Sequence, residues 1–333
     1  MKMDSPTLNN KVKAVKLLRR IGAVLLAALL VLAMLVATSY LFAPKNNQKE
    51  FGMTNAAANG VMGERSNSLD VLFIGDSEAF SSFSPLQMWH EWGFASYVCA
   101  TPGQTLSYGR TLLDRALKDQ QPKVVVFETN SIYAPFAASD AVMRGVQDVF
   151  PVFEFHNRWK SFGDALGAVA QTSWSDELKG FRVDETVKAA DASRHMAPSD
   201  KKTKIPLFNR LFIQSMVQTC KDRGIAVLFV STPSTVNWNT ERHNGIAELA
   251  RQLEVPYVDQ NVGKDKVDVD WSADTHDAGD HLNLRGATKA SASLGAYLKK
   301  QYELPDHRED KTYVSWKETS ARYQGKIDGW RAP

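Results

Sequence analysis

The chain has 333 residues, with 40 Lys and Arg against 37 Asp and Glu for a formal net charge of +3, and 44% of its residues are hydrophobic. A charge that small, with no array of basic and aromatic side chains, excludes nucleic acid as the expected partner. The two cysteines, Cys99 and Cys220, lack metal-ligand spacing and neither support nor exclude a disulfide, and nothing in the sequence calls for a metal or another cofactor.

Residues 1–20 form a basic segment, with Lys2, Lys11, Lys13, Lys16, Arg19 and Arg20 preceding an apolar run from Ile21 to Phe42 that contains no charge. Roughly 22 residues at 1.5 Å each reach about 33 Å, enough for a hydrocarbon core of about 30 Å. Residues 21–43 therefore read as one transmembrane helix, with the N-terminus in the cytoplasm and the rest outside it. A cleaved signal peptide is the alternative, since Ala37-Thr38-Ser39 offers small residues, but the run exceeds the about 7–15 residues of a signal core. Residues 44–68, rich in Asn, Gly, Ala and Ser, read as a flexible extracytoplasmic linker.

The folded domain is expected over 69–303. Leu69–Ile74, Ala95–Val98, Lys123–Glu128, Ala226–Ser231 and Val255–Val258 are predicted strands. Helices are predicted over Pro85–Trp92, Thr105–Asp119, Phe208–Arg223, Thr240–Leu253 and Leu284–Tyr302. Their alternation predicts an α/β fold, a three-layer α/β/α sandwich around a five-stranded parallel sheet. Between about 134 and 206 the alternation stops. Loops of this length are usually functional lids or disordered, and the aromatic first half is expected to pack near the site and the polar second half, about 191–204, to be mobile. The tail, 304–333, carries Tyr313, Trp316, Tyr323 and Trp330 and is expected to lie back on the domain.

The chemistry-bearing stretches stand at strand ends. Ile74-Gly75-Asp76-Ser77-Glu78-Ala79-Phe80 follows the apolar Val71-Leu72-Phe73 and puts Ser77 where a strand gives way to a helix, whose free N–H groups can stabilise an oxyanion. A serine hydroxyl needs a base. Among the seven histidines, His281 in Asp277-Ala-Gly-Asp-His-Leu-Asn283 is preferred to His156 and His243, because it sits in a short polar loop after the last predicted strand. Ala100-Thr-Pro-Gly-Gln-Thr105 and Phe127-Glu-Thr-Asn-Ser131 close the second and third strands with Gly103 and Asn130.

In this order the four stretches resemble the motif blocks of the SGNH (GDSL-type) serine esterases and acyltransferases, whose flavodoxin-like sandwich agrees with the strand count. The resemblance implies Ser77 as nucleophile, His281 as base, and an oxyanion hole made by the N–H groups of Ser77 and Gly103 and the side-chain amide of Asn130. It departs from the family in two places. Glu78 replaces the leucine of the GDSL pattern, and Ala278 stands where the family has its aspartate. Asp277 and Asp280 flank that position, and Gly279 permits an unusual turn, which favours Asp277 as the orienting acid over Asp280 and leaves a Ser-His dyad open. The Gly-x-Ser-x-Gly elbow of an α/β-hydrolase is not met, since Ala79 takes its last place.

The likeness is greatest to membrane-anchored, extracytoplasmic SGNH proteins of bacterial envelope polysaccharides, including relatives that move acetyl or D-alanyl groups. It implies a membrane-bound esterase or acyltransferase that passes an acetyl-type acyl group from Ser77 to water or to a sugar hydroxyl, with cell-envelope glycan as partner. The alternative is a catalytically silent scaffold among envelope assembly proteins.

Overall fold

The computed structural model describes residues 6–44, 46–47, 52–161 and 175–331. Strands β1 (Val71–Gly75), β2 (Ser96–Ala100), β3 (Val124–Glu128), β4 (Ala226–Ser231) and β5 (Tyr257–Asp259) form one parallel sheet in the order β2-β1-β3-β4-β5. Both faces are covered, so the strands read as continuous apolar runs. Leu72, Ile74, Val125, Phe127 and Phe229 face a core shared with α5 (Leu106–Asp119), α9 (Leu207–Asp222) and α10 (Thr240–Leu253). Their strand neighbours Val71, Phe73, Val124, Val126 and Leu228 face the opposite layer, made by α3 (Ser77–Ser82), α4 (Pro85–Trp92) and α11 (Leu284–Gln301).

The strand order reverses direction between β1 and β3, and at such a switch point the carboxyl ends of the strands open a crevice. Register brings the candidate site together there. Gly75 pairs with Ala100 on one side, and Ile74 pairs with Phe127 on the other. The turns after β2, β1 and β3, carrying Gly103, Ser77 and Asn130, are thus neighbours along one edge.

Three expectations need correction. The linker assigned to 44–68 is in large part domain: α2 (Ala56–Asn59) and the turn after it bury Ala58, Asn59, Gly60 and Val61, and a Cβ on Gly60 would strike the Tyr97 hydroxyl. Small residues here serve close packing rather than flexibility; positions 45 and 48–51 lie outside the described residues. Helix α6 (Asn130–Tyr133) leads into the insertion, which contains α7 (Ala138–Val149) and α8 (Val152–Phe155), and among the described residues its aromatic half packs on the end of the N-terminal helix instead of at Ser77. Its polar half is an extended strap held by bonds to its backbone. Within 191–204 the Thr240 hydroxyl donates to Ala197 O at 2.8 Å, the Asn244 amide to Ser199 O at 2.9 Å and Thr203 N–H to Glu241 O at 2.9 Å. Positions 162–174 lie outside the described residues.

Helix α1 (Pro6–Phe42) extends the apolar run back through most of the basic segment, of which residues 1–5 are not described, and Val12–Phe42 is long and apolar enough to cross a membrane. Its end is gripped by the domain. Ser39 is buried, Val152 N–H donates to its hydroxyl at 3.5 Å, and the Arg158 guanidinium donates to the carbonyls of Leu41, Phe42 and Ala43. These are carbonyls that a helix end leaves without intrahelical partners. The C-terminal tail forms α12 (Val314–Arg331), burying Tyr313, Trp316 and Tyr323 against α4, where Trp89 stacks on Tyr313 and meets Trp316 at a tilt, both at 5.3 Å; the Trp330 side chain lies outside those described.

Candidate active site

Ser77 is the first residue of α3, half-buried, and Asp76 caps that helix by accepting the Glu78 N–H at 3.0 Å. The preceding Gly75 lets the ends of β1 and β3 approach: a Cβ there would lie 2.6 Å from Glu128 Cβ and 2.8 Å from Ala79 Cβ.

His281 donates or accepts at Nδ1 with Asp277 Oδ2 at 2.5 Å, and its backbone N–H reaches Asp277 Oδ1 at 2.7 Å. The four-residue spacing works because Ala278 and Gly279 both take left-handed backbone conformations, with φ of 67° and 94°. Only glycine suits the second position, since a Cβ would collide with the Thr235 hydroxyl and lie 2.7 Å from Ala190 Cβ on the strap. Burial works against the Asp277 carboxylate, but the two bonds from His281 outweigh it and hold its pKa below the ordinary value. With the carboxylate on Nδ1, the neutral ring carries its proton there and leaves Nε2 as a base. That Nε2 is buried and has no hydrogen-bond partner among the described residues.

Asp280 points elsewhere. Its Oδ2 is 3.8 Å from His281 Nδ1, while its Oδ1 accepts from the Asn237 amide, which also donates to Glu78 Oε1 at 2.9 Å. Side-chain atoms of Glu78, Asp280 and His281 lie within 4.8 Å of one another, so the histidine loop meets the helix that begins with Ser77. His276, Asp277 and His281 make a second such group. Either set has the donors for a transition-metal ion, but each uses His281, so an ion bound there would compete with its proton.

Asn130 opens α6, half-buried, with its amide held from both ends: Nδ2 donates to Asp76 Oδ2 at 2.8 Å, and Oδ1 accepts from Arg242 at 2.7 Å. The amide nitrogen has a second proton to donate. Gly103 sits exposed at its turn with φ of 58° and open space where a Cβ would be.

Sequence reasoning missed the supports. Arg242, half-buried over the Tyr133 ring at 5.0 Å, also donates to Asn237 O at 2.6 Å. Asp76, Glu78 and Glu128 are all buried, and burial raises the pKa of each; for Glu78 and Glu128 the charge of Asp76 pushes the same way. No motif announces Arg242, whose place depends on α10 folding back over the site. Glu78 and Glu128 could have been flagged as acids at the ends of apolar strands.

No protein-family model matches the chain, and no curated protein matches it. Solved structures do resemble it. A lipase/acylhydrolase from Enterococcus faecalis is 11% identical, with 72% of this chain and 98% of that one covered at a TM-score of 0.37. A GDSL-like lipase from Bacteroides thetaiotaomicron is 15% identical over 70% and 87% at 0.31, and the acetyl xylan esterase AlAXEase is 13% identical over 68% and 98% at 0.35. At these scores the neighbours carry nothing of the chemistry. The fold and site themselves define the class: a three-layer α/β domain with a serine, a histidine and a carboxylate at the carboxyl edge of its parallel sheet.

Proposed function

We propose that this chain is a membrane-anchored serine esterase or acyltransferase of the SGNH type, acting on acetyl-type esters of cell-envelope glycans. The observation that carries the reading is the Asp277–His281 bond at 2.5 Å, which leaves His281 Nε2 unbonded in the loop that meets the Ser77 helix. Ser77 Oγ attacks the ester carbonyl carbon while His281 Nε2 takes its proton. The N–H groups of Ser77 and Gly103 and the Asn130 amide receive the oxyanion. As the tetrahedral adduct collapses, the C–O bond to the alcohol breaks and His281 returns the proton to that oxygen. Water or a sugar hydroxyl then attacks the acyl-Ser77 carbonyl by the same steps in reverse, releasing the acid or the new ester. The span at 21–43 and its basic N-terminal flank support an extracytoplasmic domain at the cell membrane, which is where envelope glycan lies.

A catalytically silent scaffold would need no acid on His281, and the Asp277–His281 bond supports the enzyme reading over it. A fluorophosphonate probe tests the reading. It should label the full-length protein in detergent and leave a Ser77→Ala variant of equal melting temperature unlabelled. Equal labelling of both would remove Ser77 from the nucleophile's role.

A further inference from the structure

Helix α7 is built inside out for a soluble domain. Two of its charged side chains reach toward the protein: Arg144 bonds Glu154 at 2.5 Å and stands over the Tyr108 ring at 5.3 Å, and Asp148 accepts from the Thr111 hydroxyl at 2.6 Å. Glu154 is shared with Arg115 at 2.8 Å, which closes the network beneath the helix. Its apolar side chains face outward. Val142, Met143, Val146 and Val149 are 68%, 53%, 37% and 69% exposed, Phe153 continues the stripe at 42%, and no residue of α7 is buried. Positions i, i+4 and i+7 make one continuous face. A soluble helix would place these residues the other way round, and a contiguous apolar face marks an interaction surface.

The position of the face decides its occupant. After α7 the chain turns at Phe150-Pro151 directly into α8, and α8 packs on the last turns of α1 at Ser39, with Arg158 holding the carbonyls of Leu41, Phe42 and Ala43. Ser39 is three residues from the end of the apolar run, about 5 Å along the helix axis. The docking point therefore lies at the depth of the bilayer interface, where amphipathic helices bury their apolar faces by about 5–10 Å.

We infer that the Val142–Met143–Val146–Val149–Phe153 face is a membrane-docking surface that seats in the outer interface of the bilayer that α1 crosses. Together with α1 it gives the domain two attachments, so that the domain is held at a fixed angle to the lipid surface instead of swinging from a tether. The inference rests on α1 crossing the bilayer, and its test separates the two.

The full-length chain is reconstituted in phosphatidylcholine–phosphatidylglycerol vesicles, with an environment-sensitive fluorophore on Val142→Cys, Val146→Cys or Val149→Cys. Cys99 and Cys220 are fully buried and can stay. Val31→Cys in α1 reports the span, and Arg251→Cys on α10, at the β5 edge, reports water. Doxyl lipids should quench the three α7 probes about twofold or more, the depth expected for an interfacial helix, and leave position 251 unchanged. If position 31 is quenched while the α7 probes behave like position 251, the docking surface is refuted and the span stands. If position 31 is not quenched either, the span reading fails and the inference with it. Quenching among α7 probes that follows protein density and ignores doxyl lipid would show an interface between copies and overturn the proposal.

Discussion

Replacing Asp277 by Asn tests the most specific feature of the site. The carboxylate makes two bonds to one histidine, at 2.5 Å to Nδ1 and 2.7 Å to the backbone N–H. An amide keeps a single acceptor oxygen. If that oxygen holds the backbone N–H, the NH₂ group faces Nδ1, the ring must accept there, and its proton moves to Nε2, where the base is needed. In triads with a buried aspartate this wrong tautomer costs about 10⁴ in rate. Here the Asp277 side chain is 31% exposed, which weakens its field, and Asp280 stands 3.8 Å away as a partial substitute. The expected loss in kcat/KM is therefore about 10² to 10³, or about 2.7–4 kcal/mol of barrier. Asp280→Asn, which weakens the Asn237 bond and removes a charge 3.8 Å from Nδ1 that makes no hydrogen bond to it, should cost less than about tenfold. The assay is hydrolysis of nitrophenyl acetate by the full chain in detergent, with melting curves for each variant. A loss below tenfold for Asp277→Asn would refute the triad, and a reversed ranking would move the role to Asp280.

Three further outcomes are expected. Asn130→Ala should lower kcat about 10²- to 10³-fold with little change in KM, as for loss of one oxyanion donor, while Arg242→Gln, which frees the Asn130 amide and also gives up the bond to Asn237 O, should cost about tenfold, again in kcat; equal effects on KM would assign both residues to substrate binding. Glu78→Gln should raise the melting temperature at pH 8, because burial raises the Glu78 pKa in the folded state, so the wild type loses stability as pH rises from the unfolded value of about 4.3 through the folded one. The gap between variant and wild type should close near pH 4, and a gap independent of pH would show that charge burial is not its source.

Local pattern was enough for the frame. The strands announce themselves because a parallel sheet covered on both faces demands unbroken apolar runs, and the helices between them because one stripe of each must face that sheet. Ser77, Gly103 and Asn130 were legible for a related reason: a residue just past a strand end lands on the carboxyl edge wherever the strand sits.

Tertiary structure decided the rest, since each remaining question turned on segments far apart in sequence or on backbone angles that residue type alone does not set. The sequence favoured Asp277 over Asp280 only through the freedom of Gly279; the left-handed winding of Ala278 and Gly279, with Thr235 and Ala190 against it, is what turns Asp277 onto the imidazole. Arg242 reaches Asn130 across 112 positions. The segment before Leu69 looked loose because small residues suit both flexible chain and tight packing, and only Tyr97 beside Gly60 distinguishes them. Likewise the apolar stripe of α7 has a helical period in either case; that it faces outward is set by the ion pairs beneath it, which no one-dimensional pattern contains.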